Sequence, residues 1–488
     1  MLAIAACSRP VPRPFEKIAV LRFDDQTGSS NNAWISAAAG RILVNQLTGA
    51  PRTVAVSVAT VSDGYLSGAT RMVEGYFDGP TSFHVSIEDL ATHQMVATED
   101  LHSGLLAAMD RTSHLITQDA RPFSTSQEEN AVEWGQGHFE QAVSKDPGFS
   151  AAWLGWVQEL MSKRDNQQAL AVADRALAAK PELRSPFDKA QIELLAATLR
   201  SDIPARMKAL DSLAHLSPLD VQLWRSLAEG QMNARNFPAA VAAYKQALQL
   251  EPQAVEDRNL LGYAQGFAGD LDGARLTFTD YGKLPNQAAN AFDSLGEVYF
   301  ANGKFAEAEQ SFRSANKADP GFLAGLDLWK AAYAQWLGGN LAGADQTMKE
   351  FLIARVKQHD PRTEWREAVW LYSTGREAQA QSSLAIALRD DPGTKEIQSL
   401  MEKQLEVWKN PNSLPHDAAV LRTVYEHTPP AQDGLVRTLY ARALVETGKK
   451  DDAQPLIKLW PLPESGGDPI YQAFLFPKFL EVRKALQN

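Results

Sequence analysis

The chain has 488 residues, a formal net charge of −11 at pH 7 and one cysteine. Binding to nucleic acid or to an acidic lipid surface requires clustered Lys and Arg side chains, so the acidic balance and the lack of a basic stripe disfavour both partners. A single cysteine excludes an internal disulfide framework and a cysteine-rich metal site. No apolar run reaches the roughly 18 residues that span a bilayer, and the length predicts a soluble body of several domains or a repeat array.

The first residues suggest a lipid anchor. An apolar stretch ends at Cys7, and a Pro-rich stretch follows at residues 8–16. The sequence IAAC at 4–7 resembles the lipobox of bacterial lipoproteins, which implies lipidation of Cys7, a truncated signal segment at residues 1–7 and a tether at 8–16. The six residues before Cys7 carry no Lys or Arg and are short for a signal region, so we expect the natural start to lie upstream. The alternative is a free cysteine in a flexible N-terminus.

Residues 17–120 are predicted to form a small α/β domain. Short apolar runs rich in β-branched residues and bounded by turn residues predict strands, whereas apolar residues at helical spacing predict helices. The predicted strands are residues 17–23, 53–58, 71–77, 83–89 and 95–101, and the predicted helices are residues 34–47 and 105–118.

Two segments of this domain carry a family resemblance. They are KIAVLRFDDQTGSSNNAWISAAAGRILVNQL at 17–47 and RMVEGYFDGPTSFHVSIEDLATHQMVATEDL at 71–101. Both resemble the N-terminal domain of TolB-type proteins, although Arg22 stands where that family usually has Pro and the segment between residues 53 and 70 is shorter. The resemblance implies an interaction or sensory module and supplies no catalytic residues.

The polar residues of this domain do not form a recognisable reaction centre. Asp24 and Asp25 are adjacent at the end of a predicted strand, where their carboxylates point to opposite faces, so they are predicted to cap a turn. His84, His93 and His102 lie on or beside the predicted hairpins, which brings two of them into proximity, but no further ligand follows at metal-binding spacing. We therefore predict surface histidines, no metal site and no cofactor.

A repeat pattern begins beyond a polar, Pro-containing linker at residues 119–126. The stretch from Trp224 to Pro252 reads WRSLAEGQMNARNFPAAVAAYKQALQLEP, with small residues at positions where two helices must approach closely. The same offsets recur around residues 153–181 and 292–320, and a step of 34 residues separates Pro218 from Pro252. This pattern resembles the tetratricopeptide repeat (TPR), a helix-turn-helix unit.

The resemblance implies the architecture of most of the chain. We predict a small α/β domain followed by an all-α TPR solenoid, a right-handed superhelix of helix pairs. The array covers residues 126–465 with eight or nine units, and a C-terminal capping helix covers residues 466–488. One unit cannot bury its own apolar face, so stability depends on stacking between neighbours.

The first helices of TPR units line a concave groove, which is the predicted binding surface for a protein or peptide. Glu229 and Glu297 stand where clamps for a terminal carboxylate need amides or cations, so that type of clamp is disfavoured. Tyr263 and Phe300 are costly to expose and need a partner or another part of the array to cover them. The predicted groove residues are Arg225, Glu229, Met232, Asn259, Tyr263, Phe267, Asp293, Glu297 and Phe300.

The sequence contains no Walker loop, zinc-protease motif, nucleophile elbow or dinucleotide fingerprint. We therefore expect a non-enzymatic scaffold that binds other proteins through the groove. The lipobox resemblance implies a place in the bacterial cell envelope, facing the periplasm and held to the membrane by the lipid alone. The alternatives are a lipoprotein receptor for a glycan or peptide ligand, and the sensory part of a regulatory system.

Overall fold

A computed structural model of the chain describes residues 15–390, 393–463 and 469–487. The predicted anchor at Cys7, the segment 1–7 and most of the tether lie outside the described residues. The chain divides into two compact units, Met1–Leu227 and Ala228–Asn488, called unit 1 and unit 2 below. Among the described helices, none is both long and apolar enough to cross a membrane.

Unit 1 begins with a six-stranded sheet in the order β3-β1-β4-β5-β6, with the short β2 paired to β4. β1 lies parallel to β3 and β4, whereas β4, β5 and β6 form antiparallel hairpins. The strands are β1 Glu16–Leu21, β2 Asp24–Asp25, β3 Thr53–Val58, β4 Arg71–Gly79, β5 Ser82–Asp89 and β6 Gln94–Leu101. The five predicted strands are confirmed, and β2 is an addition at the end of the first.

Helices cover both faces of this sheet. On one face α1 (Ala33–Leu47) buries Ile35 and Ile42 over Ile18 and Val20, and α3 (Leu105–Ile116) extends the same core. On the other face α2 (Val61–Leu66) follows a capping box at its N-terminus and packs Gly64 close to the sheet, where a Cβ would lie 2.9 Å from the end of the Met72 side chain. The shortened segment between residues 53 and 70 therefore keeps one strand and one helical turn.

The helix pairs of unit 1 share the core of the sheet. They are α4 Glu128–Gly135, α5 Phe139–Lys145, α6 Ser150–Ser162, α7 Asn166–Leu177, α8 Pro186–Leu199 and α9 Ile203–Leu216, and α10 Val221–Asn233 begins in unit 1 and ends in unit 2. One hydrophobic cluster runs from Ile18 in β1 to Ala196 in α8. The linker at residues 119–126 therefore marks a change of secondary structure but no break in packing.

Unit 2 consists of helices. They are α11 Phe237–Leu250, α12 Val255–Phe267, α13 Leu271–Tyr281, α14 Ala288–Ala301, α15 Phe305–Ala318, α16 Leu326–Leu337, α17 Leu341–Lys357, α18 Thr363–Ser373, α19 Glu377–Asp390, α20 Lys395–Lys409, α21 Ala418–His427, α22 Gly434–Glu446, α23 Lys450–Ala453 and α24 Leu475–Gln487. Small residues set the spacing within pairs as predicted. A Cβ on Gly296 would lie 2.7 Å from the Phe312 ring, so the two helices of that pair touch at this point.

Most helix pairs are joined by a residue in the left-handed conformation, which ends the first helix. In unit 2 these turn residues are Arg235, Gly269, Gly303, Gly339, Gly375 and Gly448. Gly suits the position because it has no Cβ to clash, so Arg235 is the exception among them. The pair α20 and α21 lacks such a turn, which explains why residues 396–427 show no repeat register.

Candidate functional site

A buried polar network joins the first helices of three successive pairs in unit 2. The Lys330 ammonium on α16 lies 2.7 Å from Asp293 and 2.6 Å from Glu297, both on α14. The Tyr263 hydroxyl on α12 donates to the second oxygen of Glu297 at 2.7 Å. The Lys330 side chain is only 2% exposed, and burial raises the pKa of both Asp293 and Tyr263. These four residues, the Lys330 network, hold the helices together through charge-assisted hydrogen bonds.

Asp327 lies against the Asp293 end of this network. Its side chain is fully buried, neither carboxyl oxygen accepts a hydrogen bond from a described residue, and its protonated form can donate to Asp293. Burial, and secondly the negative charge of Asp293, raise the pKa of Asp327 to about 8. Asp327 is therefore protonated at neutral pH, because a third carboxylate charge beside Asp293 and Glu297 is unfavourable at this depth.

The structure brings some of the predicted groove residues together and separates others. Tyr263, Asp293 and Glu297 contact one another through the Lys330 network. Phe267 and Phe300 are buried in one aromatic cluster of unit 2. Glu229 is exposed, and Arg225, Met232 and Asn259 are half-buried. Groove binding stays a prediction. The buried residues of the predicted set cannot touch a partner directly and can only position the side chains beside them.

The C-terminal part of the chain covers the aromatic residues of these helices. The Phe476 ring lies 5.8 Å from Phe300 and 5.1 Å from Tyr333 between centroids, and Ser373 donates to the Ala473 carbonyl at 3.4 Å. The Trp460 backbone N–H donates to the Ala301 carbonyl at 2.8 Å. The predicted cover for Phe300 is therefore supplied by unit 2 itself.

This arrangement gives the last helix a different place from a simple end cap. α24 does contact α22, the first helix of the last pair, but its first turn also packs on α14, α16 and α18. Those helices present large aromatic side chains, and burying them stabilises the fold in proportion to the apolar area removed from water.

A cavity of about 310 Å³ remains beside this covered region, again within unit 2. Its aromatic walls are Phe237, Phe267, Tyr425 and Trp460, and its charged lining consists of Arg235, Arg437, Lys458 and Asp433. We call it the Arg235 cavity. Its size falls at the lower end of ligand pockets, which combine apolar walls with a few placed polar groups.

Arg235 is held rigidly in this cavity. Its guanidinium donates to the carbonyls of Tyr425 and Thr428 at 3.0 Å and to the Asp433 carboxylate at 2.9 Å, and it stacks 3.8 Å over the Tyr425 ring. Arg437 also pairs with Asp433, at 2.8 Å. A planar guanidinium fixed in this way is preorganised to recognise a further acceptor.

The cavity has more positive than negative charge. Arg235, Arg437 and Lys458 stand against one carboxylate, Asp433. The buried Arg235 Nε has no hydrogen-bond partner, and the exposed Lys458 has no ion-pair partner among the described residues. The arrangement therefore suits an anionic group attached to an apolar body.

Sequence reasoning missed this cavity, although one signal was present. The turn between the first and second helix has Gly at 269, 303, 339 and 375, and the repeat register places Arg235 at the same point. A non-Gly residue in the left-handed region costs roughly 1 kcal/mol, which marks Arg235 as unusual in unit 2, although Arg164 in unit 1 shows that an arginine at such a turn does not by itself assign a role.

The polar residues singled out in unit 1 stay separate. Asp25 accepts hydrogen bonds from the backbone and hydroxyl of Thr27 at 2.9 and 2.6 Å, which is the predicted turn cap. His84 pairs with Asp100 at 2.6 Å and His93 pairs with Glu88 at 3.0 Å. No group of three or more possible metal ligands occurs in the described parts of the chain.

Comparison with protein families identifies one stretch of unit 2. Residues 289–322, which contain α14 and α15, match the family described as tetratricopeptide repeat. This stretch is a TPR. The predicted fold class, a small α/β domain followed by TPR-type helix pairs, is confirmed by the sheet and the helix pairs together. No curated protein matches the chain.

Several solved structures are similar to the chain at low identity. MamA is 18% identical, with 36% of this chain and 94% of that chain covered and a TM-score of 0.29. YrrB, a TPR protein with an unusual peptide-binding site, is 18% identical over 39% of this chain and 97% of that chain, with a TM-score of 0.32. Yeast Tom70 is 13% identical over 73% and 87%, with a TM-score of 0.31. At these values the likenesses carry no argument about function.

Proposed function

We propose that the chain is a non-enzymatic scaffold of the bacterial cell envelope that binds a partner protein through the helix pairs of unit 2. The partner inserts an apolar segment that bears a carboxylate into the Arg235 cavity. The observation that carries this proposal is that the Arg235 Nε–H and the Lys458 ammonium, beside aromatic walls, have no partner among the described residues.

The physical support comes from how such a cavity gains affinity. Aromatic residues and Arg are the side chains that contribute most to protein interfaces, because they combine a large apolar area with directed hydrogen bonds. An acidic segment would replace water at Arg235 Nε and neutralise Lys458, while its apolar side chain would cover Trp460 and Phe267. Glu229, Met232 and Asn259 are the proposed contacts on the predicted groove.

Affinity capture with a charge reversal tests the proposal. The full chain, purified from detergent-solubilised envelopes, is compared with Lys458→Glu, and Lys449→Glu serves as a matched control because Lys449 is also exposed and lies outside the cavity lining. We expect a partner protein to be recovered with the native chain and the control, and to fall at least about tenfold with Lys458→Glu, as for a lost charged contact. Equal recovery by all three chains contradicts the proposed site.

The envelope location needs a separate test, because it is supported only by the lipobox resemblance around Cys7. In the full reading frame, expressed in a bacterium, Cys7→Ser should move the protein from the membrane fraction to the soluble fraction, since the lipid is the only proposed anchor. Ser8→Ala is the control for a substitution at the neighbouring position. Membrane association that survives Cys7→Ser would exclude lipid anchoring at this residue.

A further inference from the structure

A second cavity, of about 220 Å³, lies in unit 1 and has a different chemistry from the Arg235 cavity. It is bounded by α1, α4, α6 and α8, where the sheet domain meets the first helix pairs. Arg41, Asn45, Trp134, Gln158, Asp188 and Gln191 contribute to its lining. We call it the Asp188 cavity.

Asp188 supplies a carboxyl group to this cavity; burial raises its pKa, and an ammonium bound beside it would favour the charged carboxylate. Its side chain is 1% exposed, and one carboxylate oxygen accepts a hydrogen bond from the Asn45 amide at 3.0 Å. Ser150 and Ser185 also lie beside the carboxyl, but the other oxygen, Oδ2, is buried and makes no hydrogen bond to a described residue. Leaving a buried acceptor unsatisfied is costly, so a ligand that donates to Oδ2 relieves this cost.

Arg41 supplies a positive group to the same cavity. Its guanidinium stacks 4.2 Å over the Trp134 ring, and no carboxylate among the described residues lies within ion-pair distance. Part of the Arg41 side chain is exposed, so the cavity can be reached from solvent along this residue. A guanidinium that stacks on an aromatic ring and has no counter-ion among the described residues can accept a carboxylate as its partner.

We propose that the Asp188 cavity binds a small zwitterion, a free α-amino acid. Its ammonium donates to Asp188 Oδ2, its carboxylate accepts from Arg41, and its side chain lies against Trp134 and the other apolar parts of the lining. The volume is below that of pockets for drug-sized molecules, which fits a ligand of this size. Opposite charges on the protein discriminate against ligands that carry only one of the two groups. This site is independent of the proposed partner site in unit 2.

Ligand screening on the full-length protein tests the proposal. The twenty proteinogenic amino acids are tested by thermal shift, and the ligand with the largest effect is measured by titration calorimetry. Its N-acetyl derivative lacks the ammonium, and its amide lacks the carboxylate. We expect each derivative to bind at least about tenfold more weakly than the amino acid, as follows from loss of a charged hydrogen bond.

Variants assign the binding to the cavity. Asp188→Asn and Arg41→Gln should each weaken binding by about tenfold or more. Asp119→Asn and Lys208→Gln, two exposed positions of unit 1 outside the cavity lining, should bind as the native protein does. Circular dichroism and the unliganded thermal midpoint verify that each variant is folded. The proposal is overturned if none of the amino acids binds, if one derivative binds as well as the amino acid, or if both cavity variants retain native affinity.

Discussion

The Lys330 network and the Asp188 cavity both bury charge, and they do so in opposite ways. In the network, one ammonium contacts two carboxylates and a tyrosine supplies a further donor, so Asp293, Glu297 and Lys330 all have partners. In the cavity, Asp188 Oδ2 has no hydrogen-bond partner and Arg41 no counter-ion within the described part of the chain, while empty volume lies between the surrounding helices. A buried charge alone is therefore weak grounds for a ligand site. Missing partners together with space around them are better grounds.

A buried network in which every charge has a partner should be needed for stability. Lys330→Met removes the cation and leaves Asp293 and Glu297 buried without compensation, which should destabilise unit 2 by about 3–5 kcal/mol. Thermal or urea unfolding of the purified chain measures the change. Lys317→Met is the matched control because Lys317 is exposed on the neighbouring α15, and it should change stability by less than about 0.5 kcal/mol. Equal stability of the two variants would mean that the network does not stabilise the fold.

Asp327 is a third case, a buried carboxyl group that accepts no hydrogen bond from a described residue and lines none of the described cavities. An unfolded carboxyl titrates near pH 4, whereas the pKa of the folded Asp327 is about 8. The folded chain therefore holds an extra proton between these values, and stability falls as the pH rises through that window. Asp327→Asn cannot ionise and escapes this loss.

Asp327→Asn should accordingly stabilise unit 2, with a gain of about 1–3 kcal/mol at pH 8 and a smaller gain at pH 5. Urea unfolding at both pH values measures the difference from the native chain. Asp452→Asn, at an exposed position, should show no such dependence on pH. A variant that is less stable than the native chain at pH 8 would indicate that the Asp327 carboxylate has a favourable role that burial alone does not reveal.

The sequence alone was enough to predict the helices and strands and the close contacts within helix pairs. Strand positions follow from alternating apolar residues, and the contact of Gly296 with Phe312 follows from the need for a small residue where helices touch. The repeat step also predicted that Asn259 and Asp293, 34 residues apart, occupy equivalent positions. These features are local or periodic, so a pattern within one or two repeats contains them.

Most contacts that build the sites are not periodic, which is why they escaped prediction; the Tyr263–Glu297 hydrogen bond is the exception, since it spans one 34-residue step. The step between turn glycines is 34 residues from Gly269 to Gly303 but 36 from Gly303 to Gly339, and a short helical turn with Leu323 and Ala324 in the left-handed region accommodates the added length. Lys330 lies 37 residues from Asp293 and 33 from Glu297, so neither of its contacts repeats the 34-residue step.

The remaining contacts join residues that are far apart in the sequence, so they could not be predicted from it. Phe476 covers Tyr333, and Arg235 contacts Asp433, across separations that no repeat pattern encodes. Likewise the Asp188 cavity needs Arg41 from the sheet domain and Asp188 from a helix pair. Such pairs are set by the packing of whole elements, and packing depends on which apolar surfaces remain uncovered after the local structure has formed.

His84 is the opposite case to Asp327, because its charge has partners but is close to solvent. A hydrogen bond to Asp100 raises the pKa of His84, so the ion pair is fully present below about pH 6.5 and is lost as the pH rises through the higher folded value.

His84→Gln should lower the local stability of the β5–β6 hairpin by less than about 1 kcal/mol at pH 5.5, because solvent screens the pair. As the His84 imidazolium loses its proton at alkaline pH, the difference should shrink to the loss of the stacking contact between His84 and Tyr76. Amide hydrogen exchange of the hairpin measures this, with His102→Gln as a control at an exposed histidine that has no described partner. A loss of several kcal/mol, or a loss that grows with pH, would place His84 among the structural charges with Lys330.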